Sequence, residues 1–306
     1  MLSFLMRRLI LSVAVVSAIS VITFVLSHVA IDPATGIAGD SATPADIALV
    51  RAQYGFERPL VVQYVAYLGQ IAQGDLGRSY LTRQPVAEMI LARAPVTATL
   101  AGLAILLALA LAVPLGVLAA LRPGSAVDRL ALSIAVTGQA IPNFWAGLLL
   151  ILLFGVTLGW LPISGSGSWA HFVMPTITLG TFATPALMRL VRAGMIDVLE
   201  ADYIRTARAM GLRERTILFR FALRPAILPV ISLTAVQLGF MLGGSVVVES
   251  VFAIQGLGYL AWQSMTRADM PVIQAIVLMV SLIYVALMLL ADALNAALDP
   301  RIRAAG

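Results

Sequence analysis

Apolar residues fall along this chain in six long runs: Leu9–Val29, Val96–Leu121, Leu130–Leu158, Phe172–Leu190, Ala226–Val248 and Val272–Ala291. A helix of ~20 apolar residues crosses a hydrocarbon core about 30 Å thick, so each run predicts a membrane-spanning helix. The polar breaks carry turn chemistry at Arg122-Pro123-Gly124, Gly165-Ser166-Gly167 and Gly256-Leu257-Gly258. Pro114, Pro142 and Pro185 fall inside runs, where each removes a helical hydrogen bond and predicts a bend. Gly239 and Gly243-Gly244 form a small-xxx-small face that lets helices approach closely.

Two stretches between the runs are too polar to span. In residues 30–95, Tyr54-Gly55-Phe56-Glu57-Arg58-Pro59 reads as a turn after a short helix. Val61–Ile71 follows with Tyr64, Tyr67 and Leu68 at helical spacing, which predicts an amphipathic helix on the outer surface. Packing on the bundle accounts for it; docking of an external partner is the alternative. The second stretch, Arg189–Pro225, carries eight arginines against four acids.

Composition sharpens the picture. Of 306 residues, 60% are hydrophobic and 11% charged, against about 45–50% and 25% in soluble domains, so the chain reads as an all-α integral membrane protein. Cysteine is absent, which excludes disulfides, thiolate catalysis and cysteine-bound metal. All twenty basic residues are arginine. Without lysine there is no P-loop and no Schiff base, so the chain is not itself a Walker-type ATPase. The net charge of +5 reflects topology rather than nucleic-acid binding. With the N-terminus in the cytoplasm, fourteen arginines face inside and six outside, five of the six on the long 30–95 stretch where charge has little influence on orientation. Both termini are then cytoplasmic. Arg7-Arg8 before the first run raises a signal peptide, but that run exceeds a typical h-region and no Ala-x-Ala site follows. A retained first helix is expected.

No Asp or Glu falls inside any run. Gradient-driven transporters place ionisable groups near the midplane, where potential or proton gradient acts on them. Energy therefore comes from elsewhere, or the protein is a passive pore or scaffold. His28 and His171 are the only histidines, and they offer neither a metal cluster nor a hydrolase constellation.

The Arg189–Pro225 stretch has a readable order. Ala201–Met210 suits a helix, with Tyr203, Ile204, Ala207 and Met210 along one apolar edge. Gly211 ends it as a C-cap. In a second helix Arg213, Thr216, Arg220 and Arg224 form a polar stripe opposite Ile217, Leu218 and Phe221, and Pro225 and Pro229 lead into the fifth run. A basic loop drawn to anionic lipid is the plainer reading; a rigid helix–turn–helix of mixed charge is also shaped to dock a protein.

These residues resemble a known family. Asp202-Tyr-Ile-Arg-Thr-Ala-Arg-Ala-Met-Gly-Leu212 with Ala222-Leu-Arg-Pro-Ala-Ile-Leu-Pro229 is similar to the cytoplasmic loop of ABC-importer permeases, and within them to the first permease of the dipeptide/oligopeptide/nickel group. Phe56-Glu-Arg-Pro-Leu60, Gly74-Asp-Leu-Gly-Arg-Ser79, Ile141-Pro-Asn-Phe-Trp145, Gly159-Trp-Leu-Pro162, Val247-Val-Glu-Ser-Val-Phe252 and Leu298-Asp-Pro-Arg-Ile-Arg303 extend the likeness nearly end to end. The wider family's loop reads Glu-Ala-Ala…Gly…Ile-x-Leu-Pro. Aligned on Gly211, this chain has Arg205-Thr206-Ala207 at the triplet, Phe221 and Leu223 at the isoleucine and leucine, and Arg224 at the proline, with Pro225 one later.

The resemblance implies a type I ABC-importer fold with an N-terminal helix and outer segment over 1–94. A permease core over 95–295 would contain a coupling loop at 193–225, and 296–306 would be a cytoplasmic tail. It implies a bacterial inner-membrane location, a second homologous permease, two cytoplasmic ATPase subunits and an extracytoplasmic solute-binding protein. No cofactor would bind this chain; ATP and Mg would sit on the ATPases. Tyr203, Ala207, Met210, Gly211 and Leu212 would make the ATPase contact, with Asp202, Arg205 and Arg208 at its polar rim. Peptides are the expected cargo, with nickel, glutathione or another small solute open. A secondary transporter and a scaffold without cargo are the rivals from other classes.

Overall fold

The structure is a computed structural model describing residues 2–30, 32–39 and 42–298. The tail motif Leu298–Arg303, with Arg301 and Arg303, therefore lies almost wholly outside the described residues. Apart from one antiparallel bridge between Arg78 and Pro85, the described residues form helices and turns.

The first run becomes α1 (Leu2–Ala30). The outer segment folds as α2 (Pro33–Ala38), α3 (Pro44–Tyr54) and α4 (Leu60–Ala72). A capping box between Thr43 and Asp46 starts α3, and Gly55 at φ 72° ends it, the left-handed turn that glycine adopts without a Cβ penalty. The expected amphipathic helix α4 packs on α1. The rings of Tyr64 and Tyr67 lie 5.2 and 5.5 Å from that of Phe24, and His28 Nε2 pairs with Gln63 Oε1 at 3.2 Å.

The core is built on α5 (Val86–Leu121) and α8 (Ala170–Leu199), the most extensive helix pair. Small residues make the crossing close. A Cβ on Gly116 would meet the Met188 carbonyl at 2.8 Å, and one on Gly180 would meet the Ala104 carbonyl at 2.8 Å. Pro114 and Pro185 sit within these continuous helices.

Pro142 behaves differently. The third run was expected as one span, but it divides into α6 (Ala126–Ala140) and α7 (Asn143–Leu150), the latter continuing as π-helix through Ile151–Thr157. The two parts meet at 97°. Ile141 is extended at φ −82°, ψ 123°, because the proline ring excludes helical backbone from the residue before it.

After α8 come α9 (Asp202–Ala209), α10 (Glu214–Thr216), a π-helical turn Ile217–Ala222 and α11 (Leu223–Ala226). Then α12 (Leu228–Val251), α13 (Leu257–Thr266) and α14 (Met270–Leu298) complete the order. By length and composition, three described helices suffice to cross a membrane, or up to five if each bent pair is one span. The apolar runs fall in helices, the third broken at Ile141–Pro142 and the fourth lying inside α8, whose Met174, Leu179, Leu187, Met188 and Met195 are fully buried. Gly239 of the small-residue face packs within the chain, where its Cβ would overlap the Tyr284 ring at 2.0 Å, whereas Gly243 faces open space.

Candidate functional site

The polar stretch from α8 to α12 folds back as a compact shelf. Ile204, Ala207, Ile217 and Ala222 are buried with Met195 and Ala226 in the main core, and a Cβ on Gly194 would sit 2.9 Å from the Ala226 carbonyl. The loop is thus welded to the end of α8 by apolar packing, which makes it a rigid attachment. At the end of α9 the Leu212 amide donates to Ala207 O at 3.2 Å and the Gly211 amide to Arg208 O at 2.9 Å. Gly211 takes φ 77°. This is a Schellman termination, as the glycine predicted.

The predicted contact set divides. Ala207 is buried and belongs to the shelf's underside, so it leaves the exposed surface. Tyr203, Met210 and Leu212 are exposed at 47%, 75% and 37%. No chain atom lies within 4 Å of where a Gly211 Cβ would stand. Asp202 pairs with Arg205 at 3.3 Å and Arg208 with Glu214 at 2.9 Å, all four well exposed. Partial burial raises the Tyr203 hydroxyl above the usual tyrosine pKa, so it remains a neutral donor. The face is an apolar patch rimmed by charge. Among the described residues no group of His, Asp and Glu could hold a metal ion.

In the second helix one expectation fails. Phe221 was placed on the buried side with Ile217 and Leu218, yet it is 36% exposed while Ala222 is fully buried. The π-helical turn spaces its hydrogen bonds by five residues, so the residue five after Ile217 takes the inward position. Phe219 is also pushed out, 61% exposed, and joins the solvent face.

Two features at the ends of the bundle escaped sequence reading. Asp128, in the first turn of α6, accepts from Arg192 Nε and Nη2, both at 2.7 Å, and from the Gly124 amide at 2.8 Å. This clamp ties the α5–α6 turn to α8 just ahead of the shelf. At the far end, α12 runs past the apolar run and brings Glu249 into full burial. Its carboxylate accepts from Thr97 Oγ1 at 2.7 Å and the Tyr259 amide at 2.9 Å, and Thr97 Oγ1 accepts the Leu257 amide at 2.8 Å. A buried acid thus stands just past the fifth apolar run, which itself contains none. Glu249 was hidden because it stands one residue beyond the apolar run, where a loop was expected.

Residues 112–304 match the family described as binding-protein-dependent transport system inner membrane component, and residues 1–101 match its N-terminal counterpart. The chain belongs to this family. It is thus an ABC-importer permease subunit of the inner membrane. Over 304 residues this permease is 41% identical to the glutathione transport system permease protein GsiC of Salmonella typhimurium strain LT2, covering 99% of each chain. The GsiC protein of Escherichia coli K12 gives the same identity and coverage. In fold, the permease is similar to a chain of the MetNI methionine ABC transporter in an inward-facing conformation. That match has a TM-score of 0.58 at 21% identity and covers 69% of this chain and 96% of that one.

Proposed function

We propose that the α9 shelf is the coupling element through which cytoplasmic ATPase subunits drive this permease. The carrying observation is the exposed set Tyr203, Met210 and Leu212 around a Schellman-terminated helix, fixed to α8 through Ile204 and Ala207. An apolar centre with a charged rim is the anatomy of a protein-docking patch. A rigid mount is what transmits displacement from the docked subunit into the helices. Asp202, Arg205 and Arg208 form the rim, and Gly211 leaves room for close approach. ATP and Mg belong to the ATPases.

In this reading the permease crosses the membrane with both termini in the cytoplasm and pairs with a second, homologous permease. Two ATPase subunits dock inside, and an extracytoplasmic binding protein delivers cargo. Residues 1–94 form the accessory N-terminal helix and outer segment, 95–295 the permease core, 193–225 its coupling loop and 296–306 a tail. The cargo is a short peptide, with the tripeptide glutathione the first to test, because the 41% end-to-end identity to glutathione permeases supports that member of the peptide class.

Uptake of labelled glutathione and of a labelled dipeptide by cells expressing the complete transporter tests both parts. Gly211→Asp is expected to abolish uptake while the chain still inserts and accumulates in the membrane. Full uptake by that variant removes the loop from the mechanism. Uptake of neither solute by the wild type removes the cargo assignment and leaves the coupling role standing.

A further inference from the structure

A cavity of about 510 Å³ lies between α1, α4, the 75–85 loop and the start of α14. Its floor is the end of α1 at Phe24 and His28 together with Pro271 and Gln274 of α14. Arg58, Arg78 and Arg83 line it against a single acid, Asp75, and Asp75 Oδ1 is engaged by the Gly77 amide at 2.9 Å. Arg78 and Arg83 donate to the carbonyls of Arg83 and Ile37, which neutralises neither. The Arg58 guanidinium has no hydrogen-bond or ionic partner among the described residues. Tyr54, Tyr67 and Tyr80 add rings to the wall. Burial, with the Asp269 and Asp32 carboxylates beside it, pushes the Tyr80 hydroxyl up to about 12, so it stays a neutral donor.

The depth of this cavity is fixed by α4. Tyr64 of α4 reaches Ser20 Oγ of α1 at 3.3 Å. Ser20 stands nine residues inside the outer limit of the first apolar run, about 13 Å at 1.5 Å per residue. One side of α4 therefore lies within hydrocarbon depth. Consistently, its outward ridge is apolar and uncovered: Val61 is 73% exposed, Val65 62% and Leu68 41%. Such a ridge is suited to acyl chains. The arginine cavity lies on the other side of α4, walled by its Gln63, Ala66, Tyr67 and Gln70, and reaches the outer end of α1 and the start of α14, the depth at which headgroup phosphates are expected if the first run spans.

We propose that this cavity binds the phosphate headgroup of an anionic phospholipid. Guanidinium forks match phosphate oxygens with paired, charge-assisted hydrogen bonds, the tyrosines serve the glycerol region, and the α4 ridge takes the acyl chains. Which leaflet supplies the lipid rests on the topology proposed above; the chemistry of the site does not. Because Ser79 and the Tyr80 amide are both bound by Asp269 at the α13–α14 turn, lipid held here braces the outer segment against α14.

The test uses the assembled transporter in phosphatidylcholine nanodiscs with and without phosphatidylglycerol, read by native mass spectrometry for retained lipid. The wild type is expected to retain phosphatidylglycerol in preference to phosphatidylcholine. An arginine near an anionic lipid contributes about fivefold in affinity, so Arg58→Gln lowers retention about fivefold and the triple Arg58, Arg78, Arg83→Gln variant about a hundredfold. Arg58→Lys restores most of it. Arg58 has no internal partner, so its single substitution remains informative if the triple variant fails to fold. Retention unchanged by Arg58→Gln overturns the proposal. Displacement of the lipid by glutathione or a dipeptide overturns it in favour of a cargo site. Co-purification of the ATPase subunits, scored on the same preparation, reports on the coupling reading separately.

Discussion

Two buried carboxylates stand at opposite ends of this bundle and are satisfied in opposite ways. Asp128, beside the α9 shelf, is met by a guanidinium whose side chain keeps 25% of its exposure. Glu249, near the far end of the 24-residue α12, has no cation within salt-bridge distance among the described residues. It is held by a hydroxyl and by an amide in the first turn of α13, where the helix dipole favours negative charge. The difference is one of solvent. In the ion pair only Arg192 keeps contact with water and can rehydrate when its partner is lost; Asp128 is buried and cannot. Loss of a dry carboxylate ringed by donors strands every donor around it. The clamp end thus keeps contact with solvent through Arg192, whereas the α13 end is dry.

The largest expected effect follows at the dry end. Glu249→Ala leaves the Thr97 hydroxyl and the Tyr259 amide unsatisfied, at about 1–3 kcal/mol each. The detergent-solubilised chain should unfold many degrees below wild type, and Gly256→Ala should match it, because the new Cβ would fall 2.4 Å from Glu249 Oε2. A wild-type unfolding midpoint for Glu249→Ala would end the contrast. Next in size is the clamp. Asp128→Ala should lower the midpoint less than Glu249→Ala does, Arg192→Ala more than Asp128→Ala because it strands a buried carboxylate, and the double variant should lose less than the two single losses added. Additive losses would mean the two residues act independently, against their paired contacts.

The glycine at the shelf comes third. Gly211→Ala forces a Cβ into left-handed backbone and should cost about 1 kcal/mol, a shift confined to the loop and visible as faster amide exchange over 202–212. The smallest stability effect belongs to the proposed docking face. Met210→Ala and Tyr203→Ala should leave the unfolding midpoint where it is while lowering cargo-stimulated ATP hydrolysis by the whole transporter several-fold. A midpoint that falls with activity would place these side chains in the fold rather than at an interface.

Much of this was legible in the chain. The helical class was legible from the apolar runs, although three to five described spans stand where six were expected, and the α9–Gly211 turn could be read because a helix C-cap is a local event decided by one residue's backbone freedom. What resisted were features that depend on partners distant in sequence. The run through Leu130–Leu158 is apolar on both sides of Pro142, so composition cannot separate a kinked helix from one folded back at 97°. Phe221 was misplaced because a π turn changes the period without changing the residues. Glu249 and Asp128 gain their meaning from Thr97 and Arg192, on helices remote in sequence. In the contact set, Ala207 shares an edge with Tyr203 by periodicity, and only the packing of the shelf separates the buried residue from the exposed one.

The proposed contact of the shelf with an ATPase subunit can be tested by cross-linking. This chain contains no cysteine, so Met210→Cys introduces a single thiol at the most exposed apolar position of the loop. Paired with single cysteines along the groove of a co-expressed, otherwise cysteine-free ATPase subunit, it should form an oxidant-dependent disulfide whose yield changes when ATP binds. An intact, transport-competent complex in which Met210→Cys cross-links to no ATPase position, with or without nucleotide, would contradict the account.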